Sequence, residues 1–571
     1  MKKIHASIVT ALISIGAISQ PTITNFSPST GSVGTTVTLT GTNFNAVASN
    51  NIVFFGAAKA SISSASTTSI TVTVPVGATY EDISITDMVT SLTGYSNKPF
   101  IVSFSGCGLF DSTMFAPKID FTTAINAKSI TICDLNEDGK ADMATANNNT
   151  VGSISFFQNT GTPGTLSFAP KVNIQAGALT SDLEHADIDG DGKQDIVAGN
   201  NTGNAISVFR NISTLATIAL EPKIDFTTGY GTQYIEIGDI DADGKPDIIT
   251  ANSGGGGVSI LRNTSSPGSI SFATKVDFSA GVSPTYIAVG DIDGDGKPEV
   301  AVANYEGTIS LHKNTSVPGT ISFGPVMTIS IISGSTPYVL GFAMGDMDGD
   351  NKLDFIATRG GSDCSYVVFR NTSTPGNVSF APMDIFYVYP FCSWIDPRGV
   401  QVGDLDGDGK LDVALNSIWE NETIIYKNTS TVGNLSFGPG VEFEVGYTNI
   451  NLAIGDLDGD GLPEIAVVNS HTASQSISVL RNLQCTASIG LFDELKTDIV
   501  VYPNPFSSVI TITKIENEST IEVFNVLGGK VISVQSQNTS VELNLSELES
   551  GIYFINVSSE KGVVSKKIVK E

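Results

Sequence analysis

With 571 residues the chain is long enough for several domains. Only 15% of its residues are charged, and an abundance of Gly, Ser, Thr, Asn, Val and Ile favours short strands and turns over helices. A formal net charge of −28 excludes the usual nucleic-acid binder, which needs an excess of Lys and Arg against phosphate.

The chain opens with Met1-Lys2-Lys3 and an apolar run from about Ala6 to Ile18, then Ser19 before Gln20. Residues 1–19 read as a secretory signal, with the small Ala17 and Ser19 at the −3 and −1 positions of the cleavage site. The run is too short to span a bilayer comfortably. No Cys follows it, so a lipid anchor has no support. No later stretch is long and apolar enough to cross a membrane, so no transmembrane segment is expected in the mature chain.

Residues 20–104 alternate as strands do, in Thr36-Val37-Thr38-Leu39-Thr40 and Ser69-Ile70-Thr71-Val72-Thr73-Val74. Turn signals separate them, and a small β-sandwich is predicted. Pro28-Ser29-Thr30-Gly31, Gly41-Thr42-Asn43-Phe44 and Val53-Phe54-Phe55-Gly56 resemble the IPT/TIG immunoglobulin-like family.

Residues 105–485 write one nine-residue acidic loop seven times. Positions 1, 3, 5 and 9 carry oxygen side chains. They are Asp134, Asn136, Asp138, Asp142; Asp187, Asp189, Asp191, Asp195; Asp239, Asp241, Asp243, Asp247; and Asp291, Asp293, Asp295, Glu299. The last three sets are Asp346, Asp348, Asp350, Asp354; Asp404, Asp406, Asp408, Asp412; and Asp456, Asp458, Asp460, Glu464. Position 7 is Lys140, Lys193, Lys245, Lys297, Lys352, Lys410 or Leu462, a variation that matters little if only its carbonyl binds. Carboxylates this close repel unless a hard cation sits among them, and oxygen-only ligands at this spacing suit Ca²⁺. Up to seven structural Ca²⁺ are expected, which accounts for most of the negative charge. An EF-hand would need a bidentate Glu at position 12 and flanking helices, whereas strands flank these loops. Asn351 replaces the usual Gly at position 6 of loop five, and Asn tolerates the left-handed turn conformation.

In the fourth unit, strands are predicted at Tyr286–Gly290, Glu299–Ala303, Thr308–Lys313 and around Ile321–Met327. Four short strands at a period near 50 residues make a propeller blade. The Asp-x-Asp-Gly-Asp-Gly-Lys loops and the Ser-Phe-Ala-Pro-Lys segments resemble the FG-GAP/VCBS repeats, the family that includes integrin α-subunit propellers. That resemblance implies seven blades, with Ca²⁺ in the hairpin between the first and second strands. The seventh unit lacks a fourth strand, while a spare Phe115-Ala116-Pro117-Lys118 precedes the first. An N-terminal strand is therefore expected to close the ring, with a Cys107–Cys485 disulfide clasping it.

Small residues precede every loop, so Cys133 reads as a packing residue. The Asn recurring five residues beyond the loop (Asn147, Asn200, Asn252, Asn304, Asn469) reads as a turn-former. Residues 486–571 form a linker and another small β segment. Tyr502-Pro503-Asn504-Pro505-Phe506, Ile521-Glu522-Val523-Phe524-Asn525-Val526-Leu527-Gly528 and Ser550-Gly551-Ile552-Tyr553 resemble the C-terminal sorting domain of type IX secretion. That resemblance implies the type IX machinery as a partner and an extracellular or cell-surface destination. The predicted whole is all-β, a seven-bladed propeller flanked by two small immunoglobulin-like β-sandwich domains.

The repeat departs most from its own pattern in units five and six. Additions there carry Cys364, Tyr389, Cys392, Trp394, Trp419 and Glu420, all expected on the face opposite the acidic loops. A Cys364–Cys392 disulfide fits that placement. Exposed Tyr389, Trp394 and Trp419 with Glu420 would suit a glycan or a protein partner at the cell surface, although a local hydrophobic plug would use the same residues. The histidines past the signal, His185, His312 and His471, lie far apart in the repeat and form no triad or zinc set. The expected role is a calcium-stabilised binding or adhesion module. A polysaccharide lyase or glycosidase on a propeller scaffold, or a structural surface-layer component, are the alternatives.

Overall fold

The computed structural model describes residues 19–106, 110–215, 217–332, 338–360, 364–388, 397–417, 421–471, 475–483, 499–515, 517–525, 530–559 and 562–571. Residues 1–18 of the expected signal lie outside this set, as do Cys107, Cys392, Cys485, Tyr389, Trp394, Trp419 and Glu420. Two compact units divide at Gln484–Cys485.

The N-terminal domain is a sandwich of two four-stranded sheets. Thr22–Ser27, Thr36–Thr42, Ser69–Thr73 and Ser61–Ala65 form one; Ala58–Lys59, Asn51–Phe55, Asp82–Asp87 and Leu92–Pro99 form the other. Strict alternation in Thr36–Thr42 turns Val37 and Leu39 inward, where they join Val53, Phe55, Ile70 and Ile83.

Seven four-stranded antiparallel sheets follow. Blade four is built from Pro284–Gly290, Glu299–Asn304, Thr308–His312 and Met327–Ser330. Its last strand begins where the sequence places its end. The Ser-Phe-Gly-Pro segment makes only an isolated bridge, Asn314 with Phe323, and blade three breaks at the same place although Thr274 stands where blade four has Pro325. Phe323 instead packs edge-on against Phe278 of blade three, with ring centroids 4.8 Å apart.

Blade seven takes Asn449–Gly455, Glu464–Asn469 and Ser476–Leu480 from one end of the repeat region and Ile119–Thr122 from the other. Asp120 pairs with Ser478 and Phe115 with Asn482, so an N-terminal strand closes the ring as expected. Closure removes the two sheet edges that an open array would expose. Gly290 shows why a small residue precedes each loop. A Cβ there would lie 2.6 Å from Leu353 Cδ1 of the next blade.

The N-terminal domain sits on the loop face of the propeller. Asp134 N–H donates to Ala57 O at 3.3 Å, and Thr93 N–H to Gly244 O at 2.7 Å. Lys59 pairs with Glu137 at 2.6 Å, and Gln20 Nε2 donates to Asp239 Oδ2 at 3.2 Å. Lys98 reaches Asn351, and the Gly106 backbone lies against Asp406. Loop four is the most open, with Gly294, Asp295 and Gly296 exposed.

The C-terminal unit is a separate two-sheet body. Val500–Tyr502, Val509–Thr513 and Ser540–Asn544 form one sheet; Lys530–Ser536, Ser519–Asn525, Gly551–Ser559 and Gly562–Lys570 form the other. Ile510, Ile512, Ile521, Val523, Ile555 and Ile568 fill its core.

Candidate metal centres

Each acidic loop is a tight turn organised by its own carboxylates. In loop four, Asp291 Oδ1 accepts from Asp295 N–H at 3.1 Å and Oδ2 from Gly296 N–H at 2.9 Å. Asp295 Oδ1 accepts from Lys297 N–H, and Glu299 Oε2 from Ile292 N–H at 3.0 Å. Equivalent bonds recur in loops one to three and loop five, and with small differences in loops six and seven. The turn needs positive φ at position 6, where Gly296 stands at 85°. Asn351 adopts 67° at the same position of loop five, the left-handed conformation expected of it.

The carboxylates converge. Oxygens of Asp187, Asp189 and Asp195 lie within 4.8 Å of one another, as do those of Asp239, Asp241 and Asp247. The same holds for Asp291, Asp293 and Asp295, for Asp346, Asp348 and Asp354, and for Asp404, Asp406 and Asp412. Asp293 Oδ1 is buried with no hydrogen-bond donor, an orphaned anionic atom that a cation would satisfy. Among the position-7 lysines, Lys140, Lys297 and Lys410 Nζ each donate at 2.8 Å to a backbone carbonyl of the same blade, whereas Lys352 Nζ lies 3.7 Å from Asp350 Oδ2 of its own loop. These donor sets are all oxygen and fit a hard divalent cation such as Ca²⁺.

Burial, reinforced by neighbouring carboxylates, pushes these groups toward the neutral acid when no cation is present. Asp142 and Glu299 rise to about 8, and Asp187, Asp239 and Asp456 to about 7. Asp195, Asp247, Asp412 and Glu464 stand well above the usual carboxylate range for the same reason.

Two partners of the loops were not read from the sequence. The first is a basic residue at the end of the third strand. Arg210 reaches Asp189 and Asp191, Arg262 reaches Asp243, and Lys313 reaches Asp293. Lys427 meets Asp406 and Asp408, and Arg481 meets Asp458 and Asp460. Arg370 is 3.9 Å from Asp348. Blade one has Gln158 at that position and Asn136 at loop position 3. Both members of the pair are charged in blades two to seven and both are neutral in blade one, so the net charge of each set is preserved.

The second partner is the Asn that follows. Asn263 N–H donates to Asp247 Oδ1 at 2.8 Å, and its Nδ2 donates to Pro246 O and to Ile188 O of the preceding blade. Asn211, Asn314, Asn371, Asn428 and Asn482 repeat the bond to the preceding loop, and Asn159 completes the circle onto Leu457 O of blade seven. The signal was a basic residue or Gln followed by Asn at every third-strand end.

Other readings change or stand. Asn147, Asn200, Asn252, Asn304 and Asn469 are buried at strand ends, where their side-chain amides donate to Ser155, Ser207, Ser259, Ser310 and Ser478; the carbonyls of Asn252 and Asn304 also open turns, accepting from Gly255 and Gly307 N–H. Cys133 is buried, as expected of a packing residue. His312 is packed against Phe278 and Phe323, and burial lowers it to about 4, so it is a neutral core residue. Cys364 is buried, and its carbonyl accepts from Val388 N–H at 3.0 Å.

The FG-GAP-like repeat family matches residues 134–198, 187–250, 239–302, 291–357, 346–415 and 404–467, a continuous span of more than half the chain. The chain belongs to the FG-GAP-like repeat family. An IPT/TIG domain matches residues 21–104, and a secretion system C-terminal sorting domain matches residues 500–571. This FG-GAP protein is therefore exported through type IX secretion to the cell surface or extracellular space. Among the described residues, no helix is long and apolar enough to cross a membrane.

No curated protein matches this FG-GAP chain. Solved structures that match include a streptogramin B lyase, at 14% identity over 65% of this chain and 100% of that one, with a TM-score of 0.43. BBS1N in complex with ARL6DN matches at 12% identity over 65% and 97% of the two chains, with a TM-score of 0.43. An auxiliary nutrient binding protein from Bacteroides thetaiotaomicron matches at 11% identity over 81% and 97%, with a TM-score of 0.32. Likenesses at this level carry no functional meaning.

Proposed function

We propose that the exported chain is a calcium-stabilised binding or adhesion module that engages a glycan or protein partner through the propeller face away from the metal loops. The observation that carries this reading is the seat of the TIG domain. It covers the loop face, so the end of the propeller available to a macromolecule is the opposite one. Gly360 and Cys364, and Val388 and Pro397, flank the two additions, and Ser417 and Asn421 flank the segment with Trp419 and Glu420, all at strand ends away from the loops. In this reading the residues between them face that way. Between blades five and six Tyr366, Phe386, Tyr426 and Phe437 form an aromatic cluster, with Tyr366–Phe386 centroids 5.2 Å apart and Phe386–Phe437 4.8 Å apart. Tyr389, Trp394, Trp419 and Glu420 are the proposed contacts.

The proposed calcium ligands are the side chains at loop positions 1, 3, 5 and 9 with the position-7 carbonyl. In this reading Ca²⁺ has no part in the chemistry of recognition and serves to hold the hairpins and the TIG seat. A glycan-array screen of the mature chain, with wild type beside Trp394→Ala and Trp419→Ala, tests the reading. Saturable binding to a glycan class, lost in either variant while the fold is retained, is the expected result. Turnover of a bound polysaccharide, or binding indifferent to both substitutions, would overturn it.

A further inference from the structure

Where the TIG domain closes the axial channel, it leaves a cavity of about 710 Å³ between itself and the inner strands. That is the size of a small-molecule site. Its wall comes from two domains. Glu81, Asp82 and Tyr95 descend from the TIG domain, and Glu184, Tyr234 and Glu236 project from the inner strands of blades two and three. Among the described residues, no Lys or Arg lines it. Tyr234 in this wall packs against Tyr286 of the next blade, with ring centroids 4.8 Å apart. Beside blade four it opens, where exposed Gly294 and Gly296 form part of the wall.

Two buried polar groups in this wall lack a partner. His185 has a side-chain exposure of 4%, and its Nδ1 is bonded to Thr131 Oγ1 at 2.9 Å. Its Nε2 has no hydrogen-bond partner and lies 3.8 Å from Glu81 Oε2. Gln194 is 6% exposed, and its Oε1 is also unpartnered. Buried polar atoms are almost always bonded, so two orphans in one wall point to a missing occupant.

We infer that this cavity is a binding site for a small organic cation of the aliphatic di- or polyamine class, held between the carboxylates of Glu81, Asp82, Glu184 and Glu236 and the rings of Tyr95 and Tyr234. The acids come from two tiers on opposite sides of the space, which suits several separated ammonium groups better than one metal ion, whose oxygen ligands must meet at about 2.3–2.6 Å. Tyrosine faces add cation–π attraction to such a ligand. Burial, with repulsion from neighbouring acids, pushes Glu184 and Glu236 well above the usual carboxylate range in the empty cavity. A bound cation would relieve that repulsion. Asp187, Asp239, Asp291 and Asp295 of the metal loops also line the cavity, so the test is made in excess Ca²⁺, which engages those carboxylates.

Isothermal titration of the full mature chain with spermidine, in saturating Ca²⁺ and physiological salt, tests this. The expected result is saturable binding of one spermidine per chain, with no binding of an uncharged glycol of similar length. Glu236→Gln and Glu81→Gln, one from each domain, are each expected to weaken binding at least tenfold. Both remove repulsion without removing volume, so circular dichroism and melting in Ca²⁺ should remain at or above wild type. Absence of saturable binding would overturn the inference. So would multivalent binding that disappears with salt and ignores both substitutions, which would mark mere attraction to an acidic surface.

Discussion

At the scale of single residues, each metal loop is a set of carboxylates that the fold forces together, and their titration should expose that cost. An Asp or Glu whose folded pKa is raised binds more protons folded than unfolded, so stability falls as pH rises between the two values. Unfolded carboxyls titrate near 4; here Asp134 and Asp404 rise to about 6, Asp354 to about 7 and Asp142 to about 8. The chelated protein should therefore lose stability steadily from about pH 4 to pH 8, as followed by melting temperature. In saturating Ca²⁺, which holds the carboxylates ionised in the folded state, that decline should vanish.

The Asn circle has its own test. Asn263→Ala strands the carbonyls of Ile188 and Pro246 and should destabilise the protein by about 1–3 kcal/mol in urea unfolding. A double-mutant cycle of Asn136→Asp with Gln158→Arg should show favourable coupling of about 1 kcal/mol, since it rebuilds in blade one the ion pair found in the other six. Loop ligands were legible because they recur at fixed positions on a fixed period. Asn263 and Arg262 recur just as regularly. Yet nothing in their own sequence neighbourhood says that they bond to a loop about 20 residues back and to the previous blade.

Among elements, the blades followed from hydrophobic alternation and the loop period, and the error in the fourth strand was local. Phe323 resembles a strand residue by composition, but its ring is used between blades. The seat of the TIG domain was not legible. It rests on scattered polar residues such as Gln20, Lys59 and Thr93, which carry no periodic signal and find partners only once the loops are folded. Since those contacts touch the loops themselves, chelation should loosen the seat. Limited proteolysis should then cleave the connection near residues 104–111 faster without Ca²⁺ than with it, and an equal rate would separate the seat from the metal.

For the whole molecule, ring closure joins residues more than 350 apart in sequence, as in Ser478 donating to Asp120. Deleting residues 110–122 would leave Ser476–Leu480 as an open edge, and the expected outcome is loss of the cooperative unfolding transition together with aggregation at room temperature. Closure was legible because one end of the repeat lacks a strand that the other end has to spare. The axial cavity was not, since its acids belong to two domains and acquire a shared meaning only when the TIG domain sits above the channel.

On the proposed reading, Ca²⁺ in the seven loops holds this propeller together. Scanning calorimetry of the mature chain during calcium titration, after exhaustive chelation, tests it most directly. The expected result is a single propeller transition that rises by well over 10 °C as several Ca²⁺ bind per chain, up to seven, consistent with summed ligand stabilisation. A transition unchanged between chelator and millimolar Ca²⁺ would contradict the account.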